Sequence, residues 1–378
     1  MRLILSMALA AALAAPQSAK PRARDLGVPF EGTPGALNAI TDVAGIEVGL
    51  VTLIRGEGPL VVGTGPVRTG VTAILPRGRA SNDPVMAGWF SLNGNGEMTG
   101  TTWIKESGFL EGPVFITNTH SVGVVRDASI AWSLEHGGTH QPWALPVVAE
   151  TYDGTLNDID GFHVKPEHVF QALDGAKGGP VAEGGVGGGT GMMCYQFKCG
   201  TGTASRRLDA AAGGYTVGVL VQANHGRRPQ LIVDGVPMGR EVPELMPERG
   251  EVRSKSILLV VATDAPLLPA QLQRLAKRTG LGLARTGALS MHSSGDLALA
   301  FSTANRLPAR SAARVEALEV LDDEAITPLY QATIEATEEA VLNALTSATT
   351  MTGRDGNRVH ALPLDRLVEV MRRYGRMK

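Results

Sequence analysis

The sequence has only two cysteines in 378 residues, and no histidine cluster beside them, so a cysteine-based metal centre is not expected. It also has no basic run. Its 35 lysines and arginines and 37 aspartates and glutamates are scattered and leave a net charge of −2. That excludes a nucleic-acid footprint and points to a small-molecule or peptide substrate. After the first residues no apolar stretch is long enough to span a bilayer. The eight histidines show no paired metal spacing, and no metal or organic cofactor is implied. His120, His136 and His225 are expected at solvent-facing or turn positions. Linkers, repeats and low-complexity tracts are also missing, which favours one layered α/β domain over several units.

With 43% hydrophobic and 19% charged residues, the chain can bury a sizeable core. Its 47 glycines and 22 prolines exceed average usage. Because they fall among alternating apolar stretches, they indicate tight turns and close backbone approaches rather than disorder. Arg2, the apolar residues 3–15 and the Ala12-Leu13-Ala14 cleavage pattern read as a signal peptide over residues 1–14. The mature protein is then expected in the periplasm or secreted, with no membrane attachment. Cys194 and Cys199 lie five positions apart in CYQFKC. On one extended strand they would point to opposite faces, so two buried thiols are expected rather than a disulfide.

Strand patterns occupy residues 46–53, 70–75, 114–118, 147–152, 215–222, 231–234, 256–263 and 297–302. Residues 192–197 also read as a strand. Helical spacing covers 121–135, 166–173, 269–278, 324–345 and 364–374, with proline opening two of them. The glycine tract 184–191 (GGVGGGTG) lacks the Gly-Lys-Ser/Thr ending of a phosphate loop. A close-packed backbone lining a pocket is the expectation there.

The most informative junction is at Ser256, where the charged, proline-broken segment 241–253 meets the apolar run ILLVVA. A serine opening a buried strand after a solvated connection suits a self-cleaving precursor. Breaking Lys255–Ser256 would free the α-amino group of Ser256 to act as base for its own hydroxyl. Residues 256–269 (SILLVVATDAPLLP) and 282–287 (GLARTG) resemble the start of the β-subunit in the DmpA/BapA family of L-aminopeptidase/D-esterases and β-peptidyl aminopeptidases. Matching stretches at 38–49, 93–100, 147–161, 184–192 and 217–224 carry the resemblance across nearly all of the mature chain. It implies a single-domain αββα sandwich like that of N-terminal-nucleophile hydrolases, with its own connectivity, and a homotetramer.

The resemblance also implies site residues. Ser256 matches the nucleophile, and Ser294 and Asp296 the supporting serine and acid; a polar turn in SSGD is the plainer reading of that pair. The base is either the Ser256 amine or the Ser294/Asp296 pair. Asn224 matches an oxyanion donor, though a turn-opening asparagine is the ordinary case. Tyr152 matches a residue assisting the tetrahedral intermediate, or it packs a strand. Glu150 is two positions earlier on the same strand face, suited to a substrate ammonium or to an ordinary structural pair. Asn93 and Asn95 are assigned no chemical step.

One departure concerns Lys255, since the best-known members have glycine or asparagine before the nucleophile. Ser254 lacks the matching apolar continuation. The reading is an exported serine aminopeptidase made as one precursor, with an α-part 15–255 and a β-part 256–378. It would release N-terminal residues, including β-amino or D-residues, from short peptides, amides or esters. The competitors are a self-processing acyltransferase, where threonine rather than serine is usual, and a non-catalytic binding protein of the same fold.

Overall fold

A computed structural model describes residues 20–249, 256–307 and 315–378. The expected signal peptide and Lys255 lie outside these residues. Along the chain run β1 (Glu47–Arg55), β2 (Val67–Leu75), β3 (Val85–Gly94), α1 (Thr101–Ser107), β4 (Phe109–Leu110), β5 (Val114–Asn118), α2 (Val122–Glu135), β6 (Val147–Thr151) and α3 (Pro166–Asp174). Next come β7 (Met193–Cys194), β8 (Phe197–Lys198), β9 (Thr201–Arg207), β10 (Thr216–Asn224) and the single turn α4 (Met238–Glu241). The last segment holds β11 (Ser256–Thr263), α5 (Pro269–Arg285), β12 (Gly295–Ser302), α6 (Thr327–Thr346), β13 (Met351–Thr352), β14 (Arg358–Val359) and α7 (Leu364–Arg373).

Two sheets form the centre, one ordered β1-β2-β5-β6 and the other β4-β3-β12-β11-β10-β9. The outer face of the first is covered by α2 and α3, where Phe115 and Val148 meet Val125, Trp132 and Val169. The outer face of the second is covered by α5 and α6. The layering is therefore the αββα sandwich expected.

Alternation along β11 explains its uninterrupted apolar sequence. Ile257, Leu259 and Val261 face the helices, while Leu258, Val260 and Ala262 face the other sheet, so both sides are buried. β12 repeats the pattern with Ala298 and Ala300 outward and Leu297, Leu299 and Phe301 inward. The strand β11 pairs antiparallel with β10 and parallel with β12, two elements that lie on opposite sides of residue 255 in sequence.

Three sequence readings are corrected. Cys194 and Cys199 are bonded, with Cα atoms 5.5 Å apart. The segment expected to be one strand is a hairpin of β7 and β8, turned by Tyr195 and Gln196 at φ 51° and 60°. Folding the segment back brings the two cysteines within bonding distance, which the opposite-face argument for a straight strand did not allow. Residues 231–234 contribute only an isolated Val233–Val236 bridge.

A buried charge cluster joins the two segments that flank residue 255. The fully buried Glu339 of α6 accepts from Arg24 Nη2 at 2.7 Å and Asn38 Nδ2 at 2.6 Å, and pairs with Arg206 Nη2 at 2.8 Å. Burial pushes its carboxyl up, but Arg24 and Arg206 outweigh that and hold it below the ordinary glutamate range. Glu339→Gln, which keeps the shape but removes the charge that Arg24 and Arg206 share, is expected to destabilise the fold by about 3 kcal/mol. Urea unfolding of the parent and variant measures this.

Candidate active site

The ends of several strands converge at one pole of the sandwich. A cavity of about 650 Å³ opens there, lined by Gly94, Asn95, Gly96, Glu97, Thr119, Glu150, Tyr152, Asn224, Ser256 and Ser293. These residues come from the ends of β3, β6 and β10, the start of β11 and the turns after β3 and β5 and before β12. Register fixes part of this. Asn224, the last residue of β10, is directly opposite Ser256, the first residue of β11.

Ser256 is half-buried, and its Oγ accepts from the backbone N–H of Gly295 at 3.1 Å. Gly295 cannot carry a side chain, because a Cβ there would meet the Asn95 carbonyl oxygen at 2.6 Å and Gly96 Cα at 2.7 Å. That close approach seals the β3 turn against the start of β12 and aims the amide at the serine. On either side of Gly295, Ser294 donates to Asp296 Oδ2 at 2.7 Å, both fully enclosed. Asn93 Nδ2 donates to Ser294 Oγ at 3.0 Å and to the Met291 carbonyl at 2.8 Å, pinning the pair. Burial pushes the Asp296 carboxyl up, opposed by the Ser294 and Ser290 hydroxyls and the Ile257 amide. Among the described residues Ser256 Oγ has no hydrogen bond to Ser294 or Asp296. The connection runs through the Gly295 amide.

Across the cavity, Glu150 Oε1 accepts from the Glu97 backbone N–H at 3.0 Å, and Oε2 accepts from Thr119 Oγ1. Only 6% of Glu150 is exposed. Burial pushes its carboxyl up, and these two hydrogen bonds oppose the rise. Tyr152 lies on the same wall, two residues on. Asn224 is held through both ends of its amide, with Oδ1 accepting from Met193 N at 3.1 Å and Nδ2 donating to the Tyr152 carbonyl at 2.9 Å. One amide hydrogen of Nδ2 is left for another acceptor.

Sequence reasoning named Ser256, Glu150, Tyr152 and Asn224, and all four line this cavity; Ser294 and Asp296 support it from behind. It missed Thr119, whose signal was its place just past β5, the parallel neighbour of the Glu150 strand. The glycine tract 184–191 is a correction, since none of its residues lines the cavity. It is wedged near the sheets, where a Cβ on Gly188 would meet the Ile116 carbonyl oxygen at 2.5 Å. His225 is another correction: it is buried at 4% exposure, with Nε2 3.2 Å from the Tyr195 hydroxyl. A second cleft at the opposite pole, lined by Arg77, Glu111, His140 and Trp143 among others, holds none of the named site residues.

A strand-end serine at the mouth of an αββα sandwich, with buried carboxyls around it, defines a hydrolase with an N-terminal-nucleophile type of fold. The family model described as peptidase family S58 matches residues 38–359. The chain belongs to that family and is a peptide hydrolase. It is 53% identical over 370 residues to the beta-peptidyl aminopeptidase BapA of Sphingosinicella microcystinivorans, covering 94% of this chain and 93% of the relative. It is 49% identical to the BapA of Sphingosinicella xenopeptidilytica, covering 98% and 94%. Among solved structures, the L-aminopeptidase D-Ala-esterase/amidase from Ochrobactrum anthropi, described as a new variant among the Ntn hydrolase fold, superposes with a TM-score of 0.89 at 47% identity, covering 95% of this chain and 100% of that one. A Burkholderia sp. beta-aminopeptidase gives 0.87 at 49%, covering 94% and 99%.

The raised carboxyls set a pH dependence. A carboxyl whose proton affinity is raised becomes neutral at a higher pH than an ordinary one, so a reaction needing the charged form weakens earlier on acidification. The acid limb of kcat/KM is expected to lie above the unperturbed glutamate value of about 4.3, and to change in Glu150→Gln. A pH profile of amide hydrolysis for both proteins checks it.

Proposed function

We propose that this chain is an exported serine aminopeptidase that matures by cutting itself between Lys255 and Ser256. The observation that carries the reading is a nucleophile and an anion in one cavity: Ser256 Oγ beneath the Gly295 amide, and the buried Glu150 carboxylate on the facing wall. The substrate's free ammonium pairs with Glu150, which places the first carbonyl group over Ser256. Release of the Ser256 α-amine supplies a base near the hydroxyl, with Ser294 and Asp296 as the alternative. An α-amine with an ordinary value of about 8 exchanges protons readily near neutral pH.

In the forward step the Ser256 hydroxyl gives its proton to the base as Oγ bonds to the carbonyl carbon. The remaining Asn224 Nδ2 hydrogen and the Tyr152 hydroxyl stabilise the oxyanion. The base returns the proton to the leaving amine as the C–N bond breaks, giving an acyl-enzyme on Ser256. Water, deprotonated by the same base, then releases the acid and restores the serine. Because the relatives named above include beta-peptidyl aminopeptidases and an L-aminopeptidase with D-Ala esterase activity, the substrates are short peptides, amides or esters beginning with β- or α-amino residues, including D-residues. Signal removal at residues 1–14, a periplasmic or secreted location and a homotetramer complete the proposal. The first two rest on sequence and the last on the family resemblance.

Ser256→Ala is expected to remain one chain and to lose hydrolysis of amino-acid p-nitroanilides. Intact mass and N-terminal sequencing read the first result, and the assay reads the second. A new terminus at residue 256 in that variant would show that an external protease makes the cut. An uncut variant with full hydrolysis would show that the nucleophile lies elsewhere. Asn224→Ala is expected to lower turnover by roughly 10²–10³-fold, the range for one oxyanion donor. Unchanged turnover would remove Asn224 from the mechanism.

A further inference from the structure

Behind the Ser256 strand lies a further small cavity of about 10 Å³, bounded by His225, Ile257, Leu283, Ser290 and Asp296 among others. That is roughly the space one water needs. Two of its wall residues are nine-tenths buried or more, and each has one polar atom without a partner: His225 Nδ1 and Asp296 Oδ1. The other end of each group is engaged. His225 Nε2 is 3.2 Å from the Tyr195 hydroxyl, which is 2.7 Å from Thr286 Oγ1. Asp296 Oδ2 accepts from Ser294. The Ser290 hydroxyl and the Ile257 amide favour the charged form of Asp296, yet neither makes a hydrogen bond to Oδ1. Burial pushes the His225 ring down to about 4, so it is neutral near pH 7.

A neutral imidazole and a carboxylate that line one water-sized space, each with one unpartnered atom, have a single economical solution. With the ring hydrogen on Nε2, a water donates one hydrogen to Nδ1 and the other to Oδ1. With the ring hydrogen on Nδ1, the same water accepts from Nδ1 and donates to Oδ1. Either tautomer satisfies both buried atoms, whose desolvation is otherwise uncompensated. We infer that this cavity is a water site coupling His225 to Asp296, and that His225 is a positioning residue for the Ser294–Asp296 pair. The inference rests on the proposed catalytic role of that pair. The Thr286–Tyr195–His225 chain then continues through the water to Asp296 and Ser294, holding the acid's orientation from the helix side of the sheet.

Two near-isosteres separate positioning from packing. The His225→Asn amide stands near Nδ1 and keeps a polar group facing the cavity. The His225→Gln amide stands near Nε2 and keeps the Tyr195 side instead. His225→Gln is expected to lower kcat about tenfold, the scale of one hydrogen bond to a charged group, with KM unchanged. His225→Asn should recover most of that loss. A crystal structure of the parent at a resolution that shows waters should place one within hydrogen-bonding reach of both atoms. A dry cavity, parental kcat in His225→Gln, or equal damage in both variants would overturn the inference. If His225→Gln does not fold, the crystal structure and His225→Asn decide. Hydrolysis by Ser256→Ala would overturn the catalytic reading itself, whereas an inactive Ser256→Ala beside a fully active His225→Gln removes only the role of His225.

Discussion

The pairing of β11 on both of its edges is the constraint on which the rest depends. Its antiparallel partner β10 precedes residue 255 and its parallel partner β12 follows it. β12 in turn is flanked on its other side by β3, again from before residue 255. The last segment therefore enters the middle of a sheet whose outer strands belong to the first. A cut next to Ser256 would leave two chains that share one continuous hydrogen-bonded sheet and one core. The Arg24–Asn38–Arg206–Glu339 cluster adds buried charge pairing across the same division.

Charge is used in two opposite ways in this interior. Glu339 is surrounded by donors and cations, so the ionised form is favoured despite full burial. Glu150 and Asp296 are enclosed with hydrogen-bond donors but form no ion pair among the described residues, and burial wins, raising both. The first arrangement suits a structural fastener. The second leaves the Glu150 carboxyl at the cavity short of a positive partner, which in the proposed aminopeptidase a substrate ammonium would supply.

What could be read from the sequence follows physical signal strength. β11 was legible to the residue because an apolar run buried on both faces has no ambiguity of side, and the starts of α3 and α5 because proline marks their first turn, while α5 runs on to Arg285, past the expected end at 278. β9 (TGTASRR) was not seen because polar and small residues fill a strand whose helix-facing positions lie under α6; a Cβ on Gly202 would meet the Ala340 carbonyl oxygen at 2.0 Å. The Cys194–Cys199 hairpin was missed because its turn uses Tyr195 and Gln196 at positive φ, where glycine or asparagine is the usual sign. Ser256, Asn224, Tyr152 and Glu150 were named through motif resemblance, yet their convergence comes from register that no local pattern encodes. His225 looked like a turn residue because burial of a histidine at a strand end depends on Tyr195, thirty residues earlier.

The geometry also orders events in the proposed maturation. Ser256 Oγ is oriented by the Gly295 amide, 39 residues downstream, and Gly295 reaches it only because the turn after β3 packs against it. The Ser294–Asp296 pair is held by Asn93 from that same turn. A nascent chain that has exposed Ser256 but not yet paired β12 with β3 lacks the Gly295 amide and the Asn93 contact to Ser294. On the proposed self-processing, cleavage is then expected to follow assembly of the six-stranded sheet. If the proposed cut occurs, the fold is its precondition, and the β10–β11–β12 ladder would hold the two chains together after it.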